Sequence, residues 1–205
     1  MELSFCSDIL RNMEKTPHSH LNLRFCVSGG AETGHGASDA LERAKELGRE
    51  IARRDAILVN GATTGFPYWA AIGAKEENGF TVGISPAESE REHVEFYKLP
   101  LDYMDLIIYT GFGYSGRNLL LTRSSDAVIV GCGRMGTLNE FTVAFEDKKP
   151  IGVLTGTGGT TDMLEDIVKA SDRSKDNPFI VYDDDPKKLL DKLTEIVQKS
   201  KIRER

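Results

Sequence analysis

The sequence has little of what would place it in a specialised class of protein. It contains only three cysteines, Cys6, Cys26 and Cys132, and no C-x-x-C pair. A low and odd count of this kind argues against a disulfide framework or a zinc ribbon. No apolar run approaches the length of a transmembrane helix, and the N-terminus lacks the basic and apolar segments of a signal peptide. We therefore predict a cytoplasmic protein with no membrane partner.

The sequence also lacks an excess of basic residues. Its formal net charge is −6, and an acidic surface repels the phosphate backbone of nucleic acids, so we predict no nucleic-acid partner. A small anionic ligand is compatible with this charge, because backbone N–H groups and a few arginines can bind it locally. No set of histidine, cysteine and carboxylate residues has the spacing of a metal site, and we predict neither a metal nor a cofactor.

Short apolar runs of β-forming residues alternate along the chain with longer segments of helical period. Hydrophobic residues make up 40% of the sequence, which is enough for a sizeable core. The alternation is typical of βαβ units and a parallel sheet. We predict an α/β protein with a doubly wound parallel sheet and helices on both faces. A single domain should span residues 1–205, with residues 1–20 as a loose N-terminal arm.

The pattern predicts seven strands and six helices. The strands are expected at residues 21–28, 56–60, 81–85, 106–110, 127–130, 151–154 and 179–182. Five helices are expected at residues 39–53, 67–78, 117–124, 137–148 and 186–199. A sixth is expected to follow the T-G-T-G-G-T-T-D segment and to end at about residue 170. The charged stretch at residues 87–99 has no clear pattern.

Glycine-rich loops follow several of the predicted strands. The first loop contains Gly29 and Gly30, the second contains Gly61 and Gly65, and a later loop contains Gly131, Gly133 and Gly136. In an open α/β sheet these loops meet at the carboxyl ends of the strands, where glycine lets the backbone approach a phosphate. Tight turns alone would also use glycine, but several such loops at one end of a sheet favour a ligand site.

Two common phosphate-binding motifs do not fit these loops. The first loop reads S-G-G-A-E-T-G-H-G, which is not the G-x-G-x-x-G of a conventional NAD site. In the later loop, Thr137 stands where a P-loop ATPase needs lysine. The ligand site is therefore predicted to be of another kind.

Thr137 and Glu140 form a T-x-x-E pair at the predicted start of a helix. As a capping box, the two side chains would satisfy free N–H groups at the helix end. Alternatively, Glu140 would face the ligand cleft from the first turn, as a carboxylate for chemistry. The spacing alone favours the capping box.

Two arginines are candidate anion ligands. Arg117 follows G-F-G-Y-S-G and opens a predicted helix, where it is either a fork-shaped clamp on a phosphate or a solvated surface side chain. Arg134 lies inside a glycine loop, where a long cation could fold over a ligand. Tyr68 and Trp69 could stack on a nucleobase, although helix aromatics more often belong to the core.

The segment RNLLLTRSSDAVIVGCGRMGTLNEFTVAFEDKKPIGVL resembles the Lonely Guy (LOG) family and its molybdenum-cofactor-carrier-like relatives. That family carries P-G-G-x-G-T-x-x-E after a strand and an arginine in the preceding helix. The matching stretch here runs from Cys132 to Glu140, and the helix before it begins Arg117-Asn118, as in the carrier-like relatives. Cys132 replaces the proline of the motif, and Arg134 replaces its second glycine.

The resemblance implies a Rossmann-like fold and a nucleotide-binding protein. The best-known activity of the family is that of a phosphoribohydrolase, which cleaves the N-glycosidic bond of a nucleoside 5′-monophosphate to free base and ribose 5-phosphate. Arg117 and Glu140 match the catalytic pair. The expected phosphate- or nucleotide-binding residues are Gly29, Gly30, Gly61, Gly65, Gly133, Arg134, Met135, Gly136 and Thr137, with the backbone N–H groups from Gly133 to Thr137 holding the phosphate.

A second hypothesis is a binding protein without chemistry. The chain reads G-R-N around Arg117, where the hydrolases have E-R-K, and Arg134 adds a side chain where a phosphate would approach the backbone. Both departures are compatible with a non-catalytic carrier or sensor of a phosphorylated cofactor or nucleotide.

A homodimer is expected as well, because the resembling proteins are usually dimeric. The helix predicted from Thr137 carries Leu138, Phe141, Thr142 and Phe145. Phenylalanines at positions i and i+4 form a broad apolar stripe, which is either core or interface.

Overall fold

Strands and helices alternate along the whole described chain. The structure, a computed structural model, describes residues 21–201, so the predicted arm at residues 1–20 lies outside the described residues. The strands are β1 (Arg24–Gly29), β2 (Ile57–Asn60), β3 (Thr81–Ser85), β4 (Leu106–Tyr109), β5 (Ala127–Gly131), β6 (Ile151–Leu154) and β7 (Ile180–Asp183). The helices are α1 (Ala40–Ala52), α2 (Phe66–Glu76), α3 (Glu90–Glu95), α4 (Gly113–Arg123), α5 (Met135–Glu146), α6 (Leu164–Ala170) and α7 (Pro186–Ser200), with a short 3₁₀ helix at Thr160–Met163.

The seven strands form one parallel sheet in the order β4-β3-β2-β1-β5-β6-β7. The chain builds outward from β1 to β4 and then returns to lay β5 against the free side of β1. Ligands of open α/β sheets bind at such a reversal, outside the carboxyl ends of the strands. Gly29 of β1 pairs with Gly131 of β5, so the two loops that follow begin side by side at this point.

Helices cover both faces of the sheet, which confirms the predicted doubly wound, Rossmann-like fold. Side chains alternate between the faces with a period of two residues. In β5, Ile129 joins the core cluster that contains residues of α1, α2 and α7. Its neighbours Val128 and Val130 join the second cluster, against α4, α5 and α6. Both faces of the central strands are therefore fully used for packing.

Two glycines let α1 and α2 approach each other closely. A Cβ atom added to Gly48 would lie 1.8 Å from the carbonyl oxygen of Ala70, and one added to Gly73 would lie 1.8 Å from that of Lys45. No side chain fits in either place. The contact fixes the position of α2, whose N-terminus follows the second glycine loop.

Most element boundaries agree with the predictions to within two residues, and the larger differences lie at the starts of β1 and α4. The strands predicted at residues 81–85 and 151–154 coincide with β3 and β6. Helix α4 begins four residues before the predicted start at residue 117, and α5 begins two residues before residue 137. Glycine has a low helix propensity, which suggested loops there, but tertiary packing overrides propensity.

The unassigned charged stretch at residues 87–99 contains the short helix α3, which begins after Ser89. The Ser89 side chain caps this helix by accepting a hydrogen bond from the backbone N–H of Glu92. Within residues 21–201, no helix is both long and apolar enough to cross a membrane.

Candidate functional site

A cavity of about 940 Å³ opens at the carboxyl ends of β1 and β5, where the strand order reverses. This is a volume typical of small-molecule sites. Ten of the eleven predicted site residues line it: Gly29, Gly30, Gly61, Arg117, Gly133, Arg134, Met135, Gly136, Thr137 and Glu140. The loops that carry them lie far apart in the sequence, and the sheet brings them together.

The floor of the cavity holds a buried ion pair between Arg117 and Glu140. Arg117 Nη1 lies 3.5 Å from Glu140 Oε1, and the two residues are only 5% and 6% exposed. The interpretation of Arg117 as a solvated surface side chain is therefore wrong. Because α4 begins at Gly113, Arg117 lies in the second turn rather than opening the helix.

The interpretation of Glu140 as a helix cap is also wrong. Helix α5 begins at Met135, so Thr137 is its third residue and Glu140 falls in the second turn, beyond the reach of the free N–H groups. The backbone N–H of Arg134 donates to Thr137 Oγ1 at 3.3 Å, which is the side-chain contact at this helix start. The Glu140 carboxylate is thus free to face the cavity.

Side chains from two places in the chain, the end of β1 and helix α4, surround the Glu140 carboxylate. Ser28, at the end of β1, donates its hydroxyl hydrogen to Oε2. The Asn118 amide is assigned the orientation that gives its oxygen and nitrogen suitable hydrogen-bond partners. In this orientation the nitrogen donates to Glu140 Oε1 at 2.8 Å and to the Tyr114 carbonyl at 2.9 Å. Arg117 adds its positive charge, with Nη1 at 3.5 Å from Oε1.

Sequence reasoning assigned no role to Ser28 or Asn118. A small polar residue at the end of a buried strand, beside a glycine loop, was the available signal for Ser28. The available signal for Asn118 was its place in the Arg117-Asn118 pair, which resembles the carrier-like relatives.

The balance of these interactions sets the proton affinity of the carboxyl group. Burial raises the pKa of Glu140 above the usual range for glutamate, because the charged form loses its hydration. The positive charge of Arg117 and the hydrogen bond from Ser28 lower this pKa and offset part of the effect. A carboxyl group in this position is a candidate for proton transfer or charge stabilisation.

Arg117 has donor capacity to spare. Its Nε is buried and has no hydrogen-bond partner within the described residues. Buried donors in native proteins are nearly always paired, so an unpaired one in a cavity indicates a place for a ligand acceptor. A fork of this kind suits a phosphate, carboxylate or sugar hydroxyl.

Gly61 makes the position of Arg117 possible. A Cβ atom added to Gly61 would lie 1.9 Å from Arg117 Nη1 and 2.7 Å from Cζ. The guanidinium therefore rests directly on the Gly61 backbone. Gly61 lines the cavity as predicted. Because it has no side chain, it also leaves room for the Arg117 guanidinium.

The N-terminus of α5 forms another wall of the cavity. The N–H of Gly133 already donates to the Gly158 carbonyl at 3.2 Å, so it is not available to a ligand. The N–H groups of the first helical turn, from Met135 to Thr137, have no acceptor within the helix and point along its axis. N–H groups in this arrangement can bind an anion, as they do at many helix N-termini.

An exposed ion pair joins Arg134, the residue that precedes α5, to Glu32 of the first glycine loop. Arg134 Nη1 contacts Glu32 Oε2 at 2.5 Å, and both side chains are more than half exposed. Salt bridges this exposed contribute little to stability. The contact leaves Arg134 free to exchange Glu32 for a ligand anion.

Three residues that the sequence suggested as ligand contacts, Gly65, Tyr68 and Trp69, do not line the cavity. Gly65 precedes α2, and a Cβ atom there would lie 2.2 Å from the Gly30 carbonyl, so it supports the first loop from behind. Tyr68 packs edge to face with Tyr103, and Trp69 packs against the core of α1 and α2. Neither of these two aromatic residues lines the cavity.

Comparison with known families assigns most of the chain. The family model described as LDcluster4, the SLOG cluster4 family, matches residues 23–190. The chain is also 32% identical over 111 residues to an uncharacterised protein of Archaeoglobus fulgidus, a match that spans 54% of this chain and 68% of that protein.

Two solved structures share the fold over almost their whole length. The molybdenum cofactor binding protein of Rippkaea orientalis is 26% identical with a TM-score of 0.67, over 89% of this chain and 99% of its own. The molybdenum cofactor carrier protein of Chlamydomonas reinhardtii is 27% identical with a TM-score of 0.67, over 86% of this chain and 99% of its own. The predicted resemblance to LOG-like and carrier-like proteins is confirmed by these matches.

The contact between Gly61 and Arg117 predicts a strong coupling between the two positions. Gly61→Ala should lower the free energy of unfolding by about 1–3 kcal/mol, because the added methyl group overpacks a buried place. In an Arg117→Ala background the same substitution should lower it far less, since the guanidinium that it strikes is gone. Urea denaturation of the four proteins measures the coupling.

Gly34→Ala is the control for this cycle, because nothing lies within 4 Å of a Cβ atom at that position. It should change the stability by no more than about 0.5 kcal/mol. An equal loss from Gly61→Ala in both backgrounds would contradict the close contact.

Proposed function

This chain belongs to the SLOG cluster4 family, and from that premise we propose that it binds a nucleoside 5′-monophosphate and hydrolyses its N-glycosidic bond. The products are free base and ribose 5-phosphate. The observation that carries this function is the buried Arg117–Glu140 pair, which lies beside a helix N-terminus able to bind phosphate. The family and the fold relatives support a nucleotide-binding or carrier role, and the reaction is inferred from the site.

The phosphate would bind at the N-terminus of α5. The N–H groups from Met135 to Thr137 would donate to its oxygens, and the helix dipole would favour its negative charge. Arg134 precedes α5 and would turn from Glu32 to the phosphate. A protein of net charge −6 can bind an anion here because the donors are local.

The sugar would lie between the phosphate site and the Arg117–Glu140 pair. As the bond from C1′ to the base nitrogen breaks, positive charge develops on the sugar ring, and an ionised carboxylate stabilises it. The same carboxylate can take a proton from the water whose oxygen forms the new bond to C1′. The leaving nitrogen gains a proton from solvent and Glu140 later returns its own to solvent, so the net reaction consumes one water. Ser28 and Asn118 would hold Glu140 in place for these tasks.

Arg117 would orient the substrate rather than react with it. Its unpartnered Nε offers a hydrogen bond to a sugar or phosphate oxygen at the floor of the cavity. Its charge also lowers the pKa of Glu140 and so opposes the effect of burial.

A carrier without chemistry is the second candidate. It is favoured by the two solved relatives, which are a molybdenum cofactor binding protein and a molybdenum cofactor carrier protein. The Arg134 side chain and the Arg117-Asn118 sequence agree with it too. A carrier, however, has no need of a buried carboxylate whose ionisation is opposed by its surroundings, and for this reason we favour the hydrolase.

We also propose that the protein forms a homodimer, through a different surface from the one that the sequence suggested. Phe141 and Phe145 are buried in the core of the chain itself, 2% and 8% exposed. Beside α4, however, the sheet face is uncovered. Leu106 of β4 pairs with Val82 of β3, and Ile108 pairs with Ile84. Leu106 and Ile108 therefore lie on the same face of the sheet as Val82 and Ile84, which pack in the core cluster that includes Leu121 of α4.

Leu106 and Ile108 of the edge strand are nearly half exposed, and Leu119 and Leu120 of the adjacent helix α4 are more than a third exposed. Exposed apolar side chains gathered on one face are typical of protein–protein contacts. A second copy of the chain would cover them.

Glu140→Gln tests the reaction. Turnover of AMP should fall by about 100-fold or more, because the neutral amide cannot stabilise the developing cation. Affinity for ribose 5-phosphate should change little, since the phosphate donors remain. Base release followed by chromatography, and calorimetric titration with ribose 5-phosphate, measure the two effects.

Glu146→Gln, an exposed glutamate on the same helix, is the control and should keep full activity. Undiminished turnover in Glu140→Gln would remove this residue from the mechanism. Tight binding of nucleotides or a pterin phosphate by the unmodified protein, with no turnover of any common 5′-monophosphate, would favour the carrier instead.

The pKa of Glu140 predicts the pH dependence. If the ionised carboxylate is the active form, kcat/KM is lost as the pH falls through this pKa, and the acid limb lies above that of an ordinary glutamate. Ser28→Ala removes a hydrogen bond that lowers the pKa, so its acid limb should move to higher pH. Ser124→Ala, at the exposed end of α4, should leave the limb in place. A limb that does not move in Ser28→Ala would contradict this role for Ser28.

The dimer surface is tested by sedimentation velocity at micromolar concentration. The unmodified chain should sediment as a dimer, and Ile108→Lys should sediment as a monomer, because a buried lysine disfavours the contact. Phe179→Lys changes an equally exposed apolar residue outside this surface and should remain dimeric. A monomer for the unmodified chain would reject the dimer.

A further inference from the structure

One aromatic side chain faces the cavity and has no part in the chemistry described so far. Among the described residues that line the cavity, Tyr114 alone is a phenylalanine, tyrosine or tryptophan. It lies in the first turn of α4, three residues before Arg117, and is 50% exposed. A large ring left half open at a ligand cavity needs an explanation, because core packing does not provide one.

Two neighbouring rings pack in series against Tyr114. Tyr97 packs against it nearly perpendicularly, with ring centroids 5.4 Å apart and an interplanar angle of 88°. Phe96 packs against Tyr97 in the same way, at 5.0 Å and 83°. Edge-to-face contacts of this kind are favourable. They support Tyr114 as a preformed surface rather than a mobile side chain.

Arg117 shows which way the Tyr114 ring is turned. The guanidinium carbon lies over the ring, 5.9 Å from its centroid. That face of the ring is therefore turned toward the ion pair at the cavity floor. Because Tyr114, Arg117 and Glu140 line the same cavity and half of the Tyr114 side chain is exposed, the base of a ligand whose sugar lies at Glu140 could contact the exposed part of the ring.

Two methionines add apolar surface to the same cavity. Met135 is 74% exposed and Met163 is 58% exposed, and both line the cavity. Met135 is the first residue of α5, so it lies directly beside the N–H groups of that helix N-terminus. Methionine is flexible and makes favourable contacts with aromatic rings, which suits the clamping of a planar group.

We propose that Tyr114, with Met135 and Met163, forms a clamp for a planar heteroaromatic ring that is joined through a sugar or linker to the bound phosphate. Tyr114 is the residue that sets affinity for this ring. The clamp rests on the proposed function and names the part of the substrate that the Arg117–Glu140 pair does not contact. Tyr114, rather than Tyr68 or Trp69, is therefore the proposed aromatic contact for the base, since those two residues do not line the cavity.

The clamp predicts that the ring and the phosphate of a ligand are bound by separable groups. AMP carries both, and ribose 5-phosphate carries only the sugar and phosphate. Tyr114→Ala should weaken AMP binding by about 5- to 100-fold, the range found when a base loses its aromatic stacking partner. Ribose 5-phosphate affinity should stay the same, and Tyr114→Phe should bind both ligands like the unmodified protein.

Calorimetric titration of both ligands into the full chain measures these effects, with Glu140→Gln as the background so that AMP is not consumed. Tyr103→Ala is the control, because Tyr103 is similarly exposed and contacts Tyr68 instead. It should leave both affinities unchanged.

The outcomes separate the clamp from the function on which it rests. Binding of neither ligand by the parent protein overturns the proposed function and the clamp together. Binding of both ligands, with no effect of Tyr114→Ala on AMP, overturns the clamp alone. An equal loss for AMP and ribose 5-phosphate in Tyr114→Ala also overturns it, since that result means a disturbed site rather than a lost stacking partner.

Discussion

The buried pair of Arg117 and Glu140 is the interaction on which the rest of the site depends. Removing two charges from water is unfavourable, and the attraction between them offsets this only with good geometry and further hydrogen bonds. The separation of 3.5 Å is long for such a pair, Arg117 Nε is unpartnered, and burial still raises the pKa of Glu140. A pair kept under these conditions is better explained by function than by stability.

The architecture around the pair follows from this demand. Ser28 reaches Glu140 because β1 and β5 are neighbours in register at the point where the strand order reverses. Gly61, directly after β2, leaves room for the Arg117 guanidinium because it has no side chain. The loops after β1, β5 and β6 are joined by backbone hydrogen bonds from Gly30 to Cys132 and from Gly133 to Gly158. The site is therefore built on rigid backbone.

Much of this molecule could be predicted from the sequence, and the reason is physical. Apolar alternation and glycine turns are local signals, and they were sufficient for the parallel sheet, for the bounds of β3 and β6, and for loops that converge on one cavity. The motif around Arg117 and Glu140 located both members of the buried pair. Local signals do not report burial, however, and burial decided what each of these side chains does.

The failures all arise where tertiary contacts override a local pattern. T-x-x-E spacing fits a capping box equally well whether the helix begins at Thr137 or earlier, and only the start at Met135 frees Glu140. A stripe of Phe141 and Phe145 is the same on a core face and on an interface, and here it is core. Ser28 and Asn118 acquire their roles only through partners distant in the chain.

The most direct test of the central claim is a crystal structure of Glu140→Gln with bound AMP. The account predicts the phosphate at the N–H groups of Met135 to Thr137 and C1′ facing residue 140; a phosphate bound elsewhere, or a sugar remote from Arg117, would contradict it.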